Sequence, residues 1–98
     1  MIVFTFMQED VACGENHLVT NIFETEQDLF DCWLVEFSGY WLVDMDEYGE
    51  PIYDEEGDPV YVDTEKLKEI LTGKWDGVRF EANDGDVYYT FSVVKTEE

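Results

Sequence analysis

Cations are what this chain lacks. Of its 98 residues five are Lys or Arg, against 25 Asp or Glu, and the formal net charge is −20. The first cation is Lys66, so residues 1–65 carry eighteen acids and no opposite charge beyond His17. Apart from His17, no acid in that stretch has a salt-bridge partner within the stretch itself, and self-repulsion on this scale works against the compact state. Direct binding to nucleic acid is excluded, because phosphates and this chain repel one another.

Other scarcities narrow the chemistry. The single His17 leaves no room for a Ser–His–Asp or Cys–His arrangement with a choice of bases. With two cysteines, Cys13 and Cys32, a zinc site built on Cys13 and His17 falls one ligand short of the usual four. A disulfide between the two is open, but nothing in their spacing asks for one. No glycine-rich phosphate loop is present. Paired carboxylates abound, and that abundance removes their value as a catalytic signal. The expectation is a protein that is not an enzyme and has no cofactor. No apolar run reaches the length of a membrane span, and MIVFTFMQED lacks the basic start of a signal peptide, so a cytoplasmic location is expected.

What is present is a core. Hydrophobic residues make up 45% and aromatics 16%, unlike a disordered acidic tail. Ninety-eight residues suit one domain with its own interior, and no linker divides it.

The most distinctive stretch, residues 40–63, says an octapeptide twice: DEYGEPIY from Asp46, then DEEGDPVY from Asp54. Each copy is an acidic turn with Gly, then Pro, a β-branched residue and Tyr. Gly supplies the unusual backbone angles, and Pro opens an extended segment where no amide donor is needed. With residues 40–43 entering as a strand, this predicts a meander of three short strands. Nine carboxylates fall between Asp44 and Asp63 with no cation among them.

The rest follows from periodicity. Residues 2–7 and 17–23 alternate as two strands of an antiparallel hairpin, with residues 8–16 as its loop. On the second strand Leu18, Thr20 and Ile22 take one face and Val19, Asn21 and Phe23 the other. Residues 25–37 change to helical spacing, with Leu29, Phe30, Trp33, Leu34 and Phe37 as one apolar stripe, Thr25 as N-cap and Ser38-Gly39 as the stop. The opposite face carries Glu24, Gln27, Asp28 and Asp31. A second helix, TEKLKEILTG, is capped by Asp63 or Thr64, buries Leu67, Ile70 and Leu71, and stops at Gly73. Residues 78–82 and 87–94 form a hairpin around Asp84-Gly85, with Ala82 facing Val87, Phe80 facing Tyr89 and Val78 facing Phe91. The order ββαβββαββ predicts an α+β domain, mostly antiparallel sheet with two helices packed on it.

A calcium loop is the one metal motif within reach. From Asp44, DMDEYGEPIYDE places Asp at EF-hand positions 1 and 3, Gly at 6 and Glu at 12. Tyr48 at position 5, Pro51 at position 8 and strand-like flanks depart from the pattern, and the repeat explains the same glycines as turns. Weak divalent binding remains a third reading.

The complement of this surface is a basic protein, and the commonest large basic surfaces in a cell bind nucleic acid. A globule of this length has a radius of gyration of about 13 Å and a diameter of roughly 33 Å. That length of duplex DNA carries about 19 phosphates. In size, charge and compact aromatic-rich make-up, the chain resembles the small acidic DNA-mimic proteins of phages and mobile elements: anti-CRISPR proteins, antirestriction proteins and uracil-DNA glycosylase inhibitors. The resemblance implies an inhibitor, acting inside a bacterial host cell, that occupies the nucleic-acid site of a defence or DNA-processing protein. The residues expected to make contact are Asp44, Asp46, Glu47, Glu50, Asp54, Glu55, Glu56 and Asp58, with Glu24, Asp28, Asp31 and Glu36 as a second set. Tyr48 and Tyr53 would add flat amphipathic contact. The alternative is an acidic adaptor or immunity-type protein for a basic partner that does not bind nucleic acid.

Overall fold

Alternation in the first 23 residues produces two nine-residue strands, β1 (Ile2–Asp10) and β2 (Glu15–Phe23). The computed structural model describes residues 1–39 and 41–96, with the side chain of Asp84 excepted. The strands run three residues further into the expected loop on one side and two on the other. Gly14, at φ 72, lets the chain reverse over residues 11–14. The last third supplies β3 (Arg79–Ala82) and β4 (Val87–Lys95), and the four strands form one antiparallel sheet in the order β2-β1-β4-β3.

Register agrees with the pattern. Phe80 pairs with Tyr89 and Ala82 with Val87, as the hairpin reading requires. The connection is a 3₁₀ turn over Asn83–Gly85, with Asn83 at φ 52 and Gly85 at φ 90. Val78 lies just outside β3, where the Gly77 amide donates to Phe91 O at 2.8 Å.

Two helices cover one face of this sheet. Helix α1 (Glu26–Ser38) begins where the Thr25 hydroxyl accepts from the Asp28 amide, and α2 (Thr64–Leu71) begins where the Asp63 carboxylate accepts from the Lys66 amide. Helix α1 stops at Ser38-Gly39 as expected, with Gly39 as a right-handed C-cap at φ −80; Trp41, just beyond, is left-handed at φ 56. Helix α2 does end at a left-handed Gly73, φ 96, one residue past its C-cap Thr72.

The core lies between these layers. Phe4 and Phe6 of β1 and Phe80, Tyr89 and Phe91 of β3 and β4 meet Leu29 and Phe37 of α1 and Leu67, Ile70 and Leu71 of α2. Phe37 sits edge-on to both Phe6 and Phe91, each at 5.0 Å between ring centroids. That geometry sets positive ring edges against negative faces and favours the contact beyond area alone. The class is α+β, as the element pattern predicts.

The middle of the chain departs from the expected meander. Residues 41–63 add no strand to the sheet and touch one another through single bridges, Val43 with Tyr61, Met45 with Pro51 and Tyr53 with Pro59. Tyr40, expected to open a strand, lies outside the described residues.

Candidate acidic interface

Three extended segments close on themselves as a small ring. The Ile52 amide donates to Asp44 O at 3.0 Å, the Val60 amide to Ile52 O at 3.0 Å, and the Asp44 amide to Val60 O at 2.6 Å. These positions are eight residues apart, so each copy of the octapeptide advances the chain by one side of the triangle. A second tier repeats the pattern: Asp46 N to Glu50 O at 2.9 Å, Asp54 N to Asp58 O at 2.9 Å, and Val62 N to Leu42 O at 2.8 Å. Two of the three corners are the acidic turns. At the third, chain entry and exit meet with no turn. A meander would leave two open edges, whereas this closure pairs each segment with both others.

The turns are equivalent in detail. Asp46 Oδ1 accepts from the amides of Tyr48 at 2.9 Å and Glu50 at 3.0 Å, and Asp54 Oδ1 accepts from Glu56 and Asp58, both at 2.9 Å. Gly49 and Gly57 follow at φ 80 and 86. The first acid of each repeat is therefore the acceptor that shapes its turn. The other acids are not used this way. Glu47, Glu50, Glu55, Glu56 and Asp58 are exposed, and no side-chain hydrogen bond or ion pair holds their carboxylates among the described residues. Tyr48 and Tyr53 stand beside them, 82% and 55% exposed.

Asp44 has a different place. Its carboxylate meets the Lys66 ammonium, which also donates to Met45 O and lies 4.2 Å from the centroid of the Trp75 ring. Both side chains are mostly covered, 22% exposed for Asp44 and 15% for Lys66. The cation missing from residues 1–65 thus arrives from α2, and Asp44 ties the ring to that helix. It is a structural residue before it is a contact residue. On β3's side, the Val43 amide donates to Glu81 O at 2.9 Å and covers that sheet edge.

The second set lies on and beside α1. Glu24, Asp28, Asp31 and Glu36 are all exposed, and Asp31 accepts from Gln27 Nε2 at 2.8 Å. The remaining cations are engaged away from the turns. Lys74 pairs with Glu69, Arg79 with Glu9 and Lys95 with Glu26, while Lys68 lies over the Phe30 ring at 5.8 Å. Among the described residues no cation forms an ion pair with an acid of the two turn tips.

The calcium reading meets this geometry poorly. The segments flanking residues 44–55 are extended rather than helical, and an ammonium already occupies the Asp44 carboxylate. Among the described residues no three His, Cys, Asp or Glu side chains converge as a metal site. Cys13 and Cys32 are both exposed free thiols, so no bridge joins them.

One feature was not selected from the sequence. Trp41, 61% exposed, stands edge-on to Tyr61 at 5.3 Å beside a cavity of about 200 Å³ lined by Phe37, Ser38, Leu42, Val62 and Leu67. A Trp at the mouth of the repeat was the available signal, but in sequence it reads as one more strand residue. No protein-family model, curated protein or solved structure matches the chain. No helix among the described residues is long and apolar enough to cross a membrane.

Proposed function

We propose that this protein is a nucleic-acid mimic that inhibits a host defence or DNA-processing protein of bacteria by occupying its DNA- or RNA-binding surface. The observation that carries the reading is the pair of equivalent turns that present Glu47, Glu50, Glu55, Glu56 and Asp58 with no cation beside them. The fold needs Asp46 and Asp54 to make the turns, but it does not need the five acids that follow. Keeping them costs self-repulsion, which a basic partner would convert into attraction. The second set, on and beside α1, adds four exposed acids, and Tyr48 and Tyr53 supply flat contact area.

Scale supports the reading. The molecule measures 48 × 29 × 23 Å, more elongated than the sphere assumed from length. A duplex as long as its major axis carries about 28 phosphates. The net charge of −20 is a comparable linear density. Inhibition would be competitive, with fast association that weakens as salt rises.

The test uses the protein immobilised on beads in nuclease-treated bacterial lysate, with and without added duplex DNA. Retained proteins that bind nucleic acid and are released by DNA, and that a variant with the five turn acids changed to Lys fails to retain, are the expected result. Retention indifferent to DNA and to salt would overturn the mimic and leave the adaptor for a basic partner.

A further inference from the structure

We propose that β2 is the seam of a symmetric homodimer, in which the strands of two copies pair antiparallel and join two four-stranded sheets into one of eight. β2 is an edge strand, and among the described residues no backbone hydrogen bond from another segment reaches its outer side. The opposite edge, β3, has four residues and is met by the ring through Val43. One edge is four residues long and met by another segment, and the other is nine residues long and open.

Proteins blunt open edges with Lys, Pro, bulges or inward charges. β2 has none of these. From residue 16 to residue 23 the sequence NHLVTNIF contains no acid, no Lys or Arg and no Pro, in a chain where 31% of residues are charged. The β1–β2 register runs without interruption from Ile2↔Phe23 to Asp10↔Glu15, so no bulge twists the edge away. On the face away from the helices Leu18 is 70% exposed and Ile22 63%. Antiparallel pairing would set these side chains against their mates across the seam.

The occupant is argued from charge. A basic partner finds no carboxylate between Glu15 and Glu24, so the anionic surface does not extend to this edge. A stretch without acids, Lys or Arg, as residues 16–23 are, is its own complement about a two-fold axis. Two copies of charge −20 that meet along residues 16–23 bring no acid of that stretch against the other. Nine residues span about 30 Å, and with a sheet thickness of about 10 Å the footprint is roughly 300 Å² per copy. That lies below the roughly 1,200 Å² total of a standard interface, so the association is weak and concentration-dependent.

Sedimentation equilibrium tests this from about 10 μM to about 1 mM, the range expected for so small an interface. The mass should rise from 11.5 kDa toward twice that value. Raising salt from 0.1 M to 1 M shortens the screening length from about 10 Å to about 3 Å and should strengthen the association about tenfold. Salt has the opposite sign for the proposed partner, so the two readings stand or fall separately. Leu18→Lys/Ile22→Lys should weaken the dimer at least tenfold, although it reduces the net charge from −20 to −18 and with it the repulsion. Val94→Lys lies on the same face but two strands from the edge, and should leave the dimer intact. In unaltered protein, amide exchange over residues 16–23 should slow as concentration rises. A monomer at every concentration and salt, a dimer lost in Val94→Lys and kept in the double variant, or exchange independent of concentration would each overturn the seam.

Discussion

Lys66 and Asp44 form an ion pair across 22 residues of sequence, closed from behind by the Trp75 ring. Among the described residues it is the one ion pair between a cation of the last third and the acidic ring, and it fixes the ring to α2 rather than to solvent.

Lys66→Met should therefore destabilise the fold by about 2 kcal/mol, because a mostly covered carboxylate loses its partner. Adding Asp44→Asn should recover part of that loss, since the uncompensated charge is then gone. Urea unfolding of wild type, both single variants and the double closes the cycle; additive losses would show that the pair is not coupled.

Asp46→Ala and Asp54→Ala should cost about 1–2 kcal/mol each and resemble one another, because each removes one carboxylate oxygen that accepts two amides. Glu47→Ala and Glu55→Ala, at the next position of each repeat, should stay within about 0.5 kcal/mol of wild type. Thermal unfolding of the four variants separates acids that make turns from acids that only face solvent.

Neutralising the turn tips should stabilise the protein. A variant with Glu47, Glu50, Glu55 and Glu56 changed to Gln and Asp58 to Asn relieves self-repulsion, and a gain of about 1 kcal/mol would raise Tm by roughly 4–8 °C. Its Tm should also respond less to added salt than wild type's. The same variant should lose the proposed partner, so stability and function would move in opposite directions.

The hydrogen bond from Lys74, with a longer one from Trp75, holds Glu69 below its ordinary value of 4.5 against the opposing effect of burial. A carboxyl lowered on folding contributes stability above its unfolded pKa and loses it as pH falls through the folded value. The stability difference between wild type and Glu69→Gln should be constant above about pH 5.5 and shift against wild type to a second, pH-independent level under more acid conditions, measured as urea midpoints against pH.

Asn21 faces the helices from β2, opposite Phe4, and its Oδ1, like the Trp33 Nε1, is buried with no hydrogen-bond partner among the described residues. Asn21→Val should raise stability by about 1 kcal/mol, since an unmet acceptor is replaced by a β-branched strand residue. Denaturant unfolding decides the sign.

Local pattern carried a large part of this structure. Alternation defined the faces of β2, with Val19, Asn21 and Phe23 turned toward the helices and Leu18, Thr20 and Ile22 away from them. The three- and four-residue spacing of α1, the caps at Thr25 and Asp63, and the β3–β4 register were legible because each depends on neighbours within a few residues. Proline and glycine likewise marked the two turns. The ring was not legible, because closing it requires Val62 to reach Leu42 and Val60 to reach Asp44, contacts that no repeat of turn chemistry specifies. For the same reason the carboxylates of residues 44–58 looked alike in sequence. Only tertiary packing could separate Asp44, held by a lysine from another element, and Asp46 and Asp54, spent on their own turns, from the five acids left facing water. Composition determined the sign and size of the charge. The third dimension decided which carboxylates are free to use it, since hydrogen bonds and ion pairs are settled by distance in space rather than separation along the chain.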